Sequence, residues 1–168
     1  MNIMLNVLLA LAVVYDLRER RIPNFLNACG LALALSMAAY RGGWEGLSDS
    51  LAAALVGLLV FFPFFAVRMI GAGDVKLFAV VGGFVGLGAL LPVWFYTVLA
   101  GGLLGIVSVL LSRSFPQFIS NMRMLLFSLL YHAPGPEISL ADIAARTSAR
   151  IPYALAIAAG ALTWMWRS

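Results

Sequence analysis

Charge is scarce in this chain, and the side chains that usually build a metal centre are scarcer still. Its 168 residues include 11 Lys and Arg, seven Asp and Glu, one His and one Cys. A lone Cys29 excludes an intrachain disulfide and a cysteine-rich metal site, and His132 has no second histidine or cysteine cluster to join. There is no Gly-x-Ser-x-Gly elbow, no His-Glu-x-x-His word and no phosphate-loop motif, so serine-hydrolase, zinc-protease and nucleotide-binding chemistry lack their usual carriers. The net charge of +4 comes without a basic stripe interleaved with aromatics, and no nucleic-acid partner is expected. Neither a metal nor another cofactor is expected.

What the chain has in abundance is apolar length. It is 63% hydrophobic, and several runs approach or exceed the roughly 17 to 25 residues needed to cross a bilayer. The apolar segments are 1–15, 25–40, 51–67, 75–91, 93–111 and 151–166. They predict an all-α polytopic membrane protein with about six transmembrane helices, a single integral membrane domain over 1–168.

The basic residues suggest its orientation. With the even-numbered gaps outside, Arg18, Arg20, Arg21, Arg68, Lys76, Arg113, Arg123, Arg146 and Arg150 fall inside, leaving Arg41 and Arg167 outside. Trp44, Trp94, Trp164 and Trp166 then lie near the outer interface. The expectation is an inner-membrane protein with both termini periplasmic and the inner loops cytoplasmic. Segment 1–15 lacks a basic n-region and a small-residue cleavage site, so it reads as a retained helix rather than a signal peptide.

Between the fifth and sixth runs lies 112–150, a cytoplasmic or interfacial segment. Phe115, Phe118, Ile119, Met122, Leu125, Leu126 and Leu129 recur at helical spacing opposite Gln117, Ser120, Asn121 and Arg123, predicting an amphipathic helix in the headgroup plane. A seventh span over 115–131 is the alternative; it would carry Arg146 and Arg150 outside, against the charge rule. Pro92 alone separates the fourth and fifth runs and predicts a tight hairpin there. Glycines 82, 83, 86 and 88, followed by 101, 102 and 105, predict close helix packing in these two runs.

Against this apolar background two acids stand out. Asp16 closes the first run, and Asp74 ends the word Gly71-Ala72-Gly73-Asp74 ahead of the fourth, which puts both on the inner side. Carboxylates at the ends of spanning helices are costly unless paired or used. Brought within about 3 to 5 Å of each other, two carboxyls do not easily both ionise and one keeps a proton near neutral pH. The ionised member then takes a proton from water while the neutral one hydrogen-bonds to the attacked carbonyl, which is peptide hydrolysis without a covalent intermediate.

Simpler roles exist for each: an ion pair of Asp16 with Arg20 at i,i+4, and a capping role for Asp74. Ser48 or Asp49 would cap the third helix. Gly71 and Gly73 give backbone freedom before Asp74 and leave room for an extended peptide. Arg18, Arg20 and Arg21 read as inside anchors that also favour anionic lipid or an acidic substrate segment. Lys76, two positions beyond Asp74, reads as an anchor within electrostatic reach of it.

Asp16 with the following Arg-x-x-Arg-Ile-Pro-Asn segment (Arg18 to Asn24), Gly71-Ala72-Gly73-Asp74-Val75-Lys76-Leu77, and Arg150-Ile151-Pro152-Tyr153 together resemble the type IV prepilin leader peptidases, in particular the short TadV/CpaA-like branch serving Flp-type pili. That resemblance implies an aspartic endopeptidase with Asp16 and Asp74 as catalytic residues, cleaving the basic leader of a prepilin after glycine at the cytoplasmic face. It implies prepilin as substrate, membrane lipids as surroundings and the pilus assembly machinery as a possible partner, with Gly71, Gly73, Arg18, Arg20, Arg21 and Lys76 near the substrate. Larger relatives also N-methylate the product and carry paired cysteine motifs. With only Cys29 and a short gap between its second and third runs, this chain is expected to lack that activity. Tyr15-Asp16 and Gly-x-Gly-Asp are also similar to features of presenilin-type proteases. A noncatalytic assembly protein or small transporter is the alternative from another class.

Overall fold

The structure is a computed structural model that describes residues 2–67, 69–111 and 153–167. The described residues form five helices: α1 (Asn2–Glu19), α2 (Asn24–Ala66), α3 (Ala72–Val85), α4 (Leu87–Leu111) and α5 (Tyr153–Arg167). The all-α character expected from the apolar runs is what is found.

The apolar runs and the helices do not coincide one to one. Runs 25–40 and 51–67 belong to a single 43-residue helix, α2, interrupted at Gly43 by a backbone conformation (φ 58, ψ −136) that suits glycine. The chain folds back there: a Cβ placed on Gly46 would strike the Ala38 carbonyl, although eight residues of straight helix span about 12 Å. α2 is thus two arms, and α3 lies in the crook between them. A Cβ on Gly83 would meet Ala34 of one arm at 3.3 Å and Ser50 of the other at 3.5 Å. Ser50 Oγ donates to the Gly83 carbonyl at 2.7 Å, Phe61 stacks on Phe78 with ring centroids 4.0 Å apart, and a Cβ on Gly82 would sit 2.6 Å from the Ala53 carbonyl oxygen. From Asp74 to Phe84, every residue of α3 except Lys76 is buried.

The break after α3 falls at Gly86 (φ 79), not at Pro92, which lies inside α4. Asp49 does not cap the third apolar run, because that run continues an existing helix. Instead its carboxylate reaches across to accept from the Leu87 N–H at 3.4 Å, at the start of α4. Helix α5 packs along α4, where a Cβ on Gly160 would collide with Thr97, and its Tyr153 hydroxyl approaches Gly101 to within 2.7 Å of where a Cβ would stand. The expected close packing of glycine-rich helices holds at Gly82, Gly83 and Gly101; at Gly88 and Gly102 a Cβ would meet open space.

These boundaries overturn the six-span arrangement. Among the described residues only two helices, Asn24–Ala66 and Leu87–Ser108, are long and apolar enough to cross a membrane. α1 carries Asp16, Arg18 and Glu19 within its 18 residues, and α5 has only 15. The 14 residues of α3 extend about 21 Å, short of a hydrocarbon core about 30 Å thick. The multi-pass inner-membrane topology with both termini periplasmic, which depended on counting six spans, is withdrawn with it. The amphipathic helix expected over 115–131, and the rest of 112–150, lie outside the described residues.

The packing of α3 makes a simple comparison available. Gly82→Ala is expected to destabilise the protein by about 2 kcal/mol through overpacking against the Ala53 backbone, whereas Gly102→Ala changes stability by about 0.5 kcal/mol or less. Thermal melts of the two purified variants in detergent check this; equal melting temperatures would contradict the packing described.

Candidate functional site

The first turn of α3 is the focus. It begins at Gly71, whose N–H donates to Asp74 Oδ2 at 3.0 Å, so the carboxylate reaches back over its own helix N-terminus. This is the capping role open to Asp74 on sequence grounds, and it uses one oxygen. The other, Oδ1, is buried with no hydrogen-bond partner among the described residues. Asp74 as a whole is 9% exposed. A carboxylate present only to cap would ordinarily leave its second oxygen in water, because an unsatisfied buried polar atom costs about 1 to 3 kcal/mol.

Asp16 arrives from the last turns of α1 and is 8% exposed. Its Oδ2 accepts from the Ala154 N–H at 3.1 Å, at the start of α5. The first amides of a helix have no intrahelical partner and favour negative charge, so α5 supplies a ready anion-binding end. The expected ion pair with Arg20 is absent: Arg20 leaves the helix with φ 52, its amide bonded to the Asp16 carbonyl at 3.0 Å. A residue in this left-handed conformation closes α1, and its side chain is exposed with those of Arg18 and Arg21.

Both aspartates lie outside the two helices long enough to span a membrane. Burial raises the Asp74 carboxyl most, the Gly71 N–H opposes the rise and the negative charge of Asp16 adds to it, bringing it to about 6 in all. Burial likewise raises Asp16, opposed by the Ala154 N–H. Both carboxyls are thus buried, and the Asp16 charge is the smallest of the three influences on Asp74. Burial and the charge of Asp74 also raise the Tyr153 phenol, whose ring meets Phe61 edge-on at 6.1 Å. Tyr153 thereby joins α5 to the Phe61–Phe78 stack beneath the site.

The loop between α1 and α2 closes over α3. A Cβ on Gly73 would lie 3.1 Å from Ile22 Cβ and 3.4 Å from its backbone nitrogen, and one on Gly71 would lie 3.1 Å from Asp74 Oδ2. The space left by these two glycines is taken up within the chain. Lys76 is exposed and donates to Asn24 Oδ1 at 2.8 Å. Asn27, from the first turn of α2, is 4% exposed and donates from Nδ2 to the Gly73 carbonyl at 3.3 Å. Of the residues singled out in the sequence, Asp16 and Asp74 are buried, Gly73 is half-buried and Gly71 is exposed, and Asp16 acts on Asp74 through its charge. Lys76, Arg18, Arg20 and Arg21 remain on the surface. Asn27 and the Ala154 amide were not anticipated; the one available signal was an asparagine placed within an apolar run.

The raised Asp74 carboxyl has a consequence for stability. Its folded value of about 6 exceeds the unfolded 3.8, so the folded form holds the proton more tightly. This contribution is fully present below pH 3.8 and is lost as pH rises through about 6. The difference corresponds to about 3 kcal/mol. Thermal melts from pH 4 to 7.5 are expected to show this loss in the wild type and a flatter profile in Asp74→Asn; identical profiles would contradict it.

No curated protein and no solved structure matches the chain. A family model does, over residues 3–106, a stretch that contains Asp16, the Ile22-Pro23-Asn24 loop, Asn27 and the whole Gly71-to-Asp74 turn. The chain therefore belongs to the type IV leader peptidase family.

Proposed function

We propose that the chain is an aspartic endopeptidase of the short TadV/CpaA-like branch. Its substrates are type IVb or Flp-like prepilins, from which it removes the short basic leader after glycine without N-methylating the product. The observation that carries this reading is the unpartnered Asp74 Oδ1, buried and under the electrostatic influence of Asp16. Family membership supplies the prepilin context. The absence of a methyltransferase step rests on the continuity of the chain from 24 to 66, which is helical throughout save for the turn at Gly43, and on the single cysteine.

In the working state the pair holds one proton. The ionised carboxyl accepts a proton from the attacking water, and the neutral one donates a hydrogen bond to the scissile carbonyl as the tetrahedral intermediate forms. Collapse breaks the C–N bond, and the proton gained from water passes to the departing amine. The Gly71 and Ala154 amides hold one oxygen of each acid, which fixes the carboxyl planes before substrate arrives. The shared proton belongs to the pair rather than to either residue. Gly71 and Gly73 shape the turn that presents Asp74, while Arg18, Arg20, Arg21 and Lys76 offer positive charge to an acidic stretch of the substrate or to lipid headgroups.

A noncatalytic membrane assembly role is the second reading, favoured by the fact that each aspartate also serves a helix N-terminus. The two readings separate in one assay: the purified protein is reconstituted with a Flp-type prepilin and the product N-terminus is sequenced. Cleavage after glycine is expected, with Asp16→Asn and Asp74→Asn each slower by about a thousandfold or more and still inserted and folded. Uncleaved prepilin with folded wild type, or full activity in either variant, would favour the assembly role.

The pH dependence follows from the same pair. Activity requires one ionised and one neutral carboxyl, so kcat/KM is expected to fall on the alkaline side as the second proton leaves, with a midpoint near the raised Asp74 value of about 6 or above. A flat profile from pH 5 to 9 would contradict a shared-proton mechanism.

A further inference from the structure

We propose that Asn27 is a positioning residue for Asp74, acting through the Gly73 carbonyl. This rests on the aspartic peptidase reading and adds to it a residue outside the Gly-x-Gly-Asp word. The carboxamide is 4% exposed, and its Nδ2 donates to the Gly73 oxygen at 3.3 Å across 46 positions of sequence. Its amide orientation is fixed by that partner, since the reverse would set two oxygens against each other.

Satisfying the Gly73 carbonyl does not require Asn27. Gly73 lies within α3, and a carbonyl there already has an i+4 amide in the helical ladder. The side chain also bears a penalty of its own, because Asn27 Oδ1 is buried without a hydrogen-bond partner among the described residues. An apolar side chain would continue the apolar run without that penalty. What the asparagine adds is a tether on the peptide unit joining Gly73 to Asp74, the last link before the Asp74 side chain. Ile22 packs against the same glycine with little room to spare. The first turn of α2 and the loop before it thus grip one peptide group from two directions. The grip fixes where Asp74 Oδ1 points, relative to the Asp16 carboxyl held by α5.

The test uses Asn27→Leu, and Asn27→Ala in case the larger side chain is not accommodated, in the full-length reconstituted protein with Flp-type prepilin. Expected is a fall in kcat of about tenfold with KM within about twofold, measured per folded molecule. Unchanged kcat in the folded variants would overturn the proposal, even with lower yield or melting temperature, since a merely structural asparagine moves only those. Wild-type cleavage together with inactive Asp74→Asn establishes the underlying reading independently. Should the wild type leave prepilin intact, that reading falls, and Asn27 is decided instead by infrared titration of the Asp74 carboxyl. A midpoint displaced by about half a unit or more in the variants supports positioning, and an unchanged midpoint overturns it.

Discussion

Everything at the candidate site depends on where burial begins along α3. Gly71 and Ala72 are exposed and Gly73 is half-buried, and from Asp74 onward the helix is enclosed by two arms of one hairpin, with α4 and α5 beside it. Asp74 stands at that boundary, with one oxygen on the Gly71 N–H and its side chain under cover. The second oxygen is left without a partner in a dry place, beside the charge of Asp16. The same carboxylate thus caps a helix and keeps a second oxygen without a partner, the oxygen that the proposed hydrolysis uses.

Asp16 repeats the arrangement from the opposite side. It lies in the last turn of its own helix, and its carboxylate rests on the N-terminus of another, α5, through the Ala154 amide. Helix N-termini carry partial positive charge, so two acids that would repel one another are each compensated locally. Burial raises both carboxyls, and the Asp16 charge adds to the rise at Asp74. A raised carboxyl keeps its proton to higher pH, which is the property the proposed hydrolysis uses.

The two aspartates were legible in the sequence because charge is so rare around them that each isolated acid demanded an account. Gly73 reads as leaving room for an extended peptide, whereas a Cβ there would meet Ile22 of the same chain. The helix boundaries were less readable. Gly42-Gly43 reads as an outer loop, yet a turn at one glycine suffices and the helix resumes at once on either side. Pro92 reads as a break, but a proline near the start of a helix removes a single amide donor, whereas Gly86 adopts a conformation that ends α3 outright. The Asn27 contact was not readable because its hydrogen-bond partner lies 46 positions away, and nothing in its own helix turn announces that partner. The expected six spans failed for a related reason: apolar runs count hydrophobicity, while turns and charges decide how long each helix is.

Coupling between Asp16 and Asp74 is tested most directly by following the Asp74 carboxyl through a pH titration by infrared spectroscopy, in the wild type and in Asp16→Asn. Neutralising Asp16 removes the repulsion acting on Asp74, so its midpoint is expected to move down from about 6 in the variant. An Asp74 midpoint unchanged by the loss of the Asp16 charge would show that the two acids do not share a site.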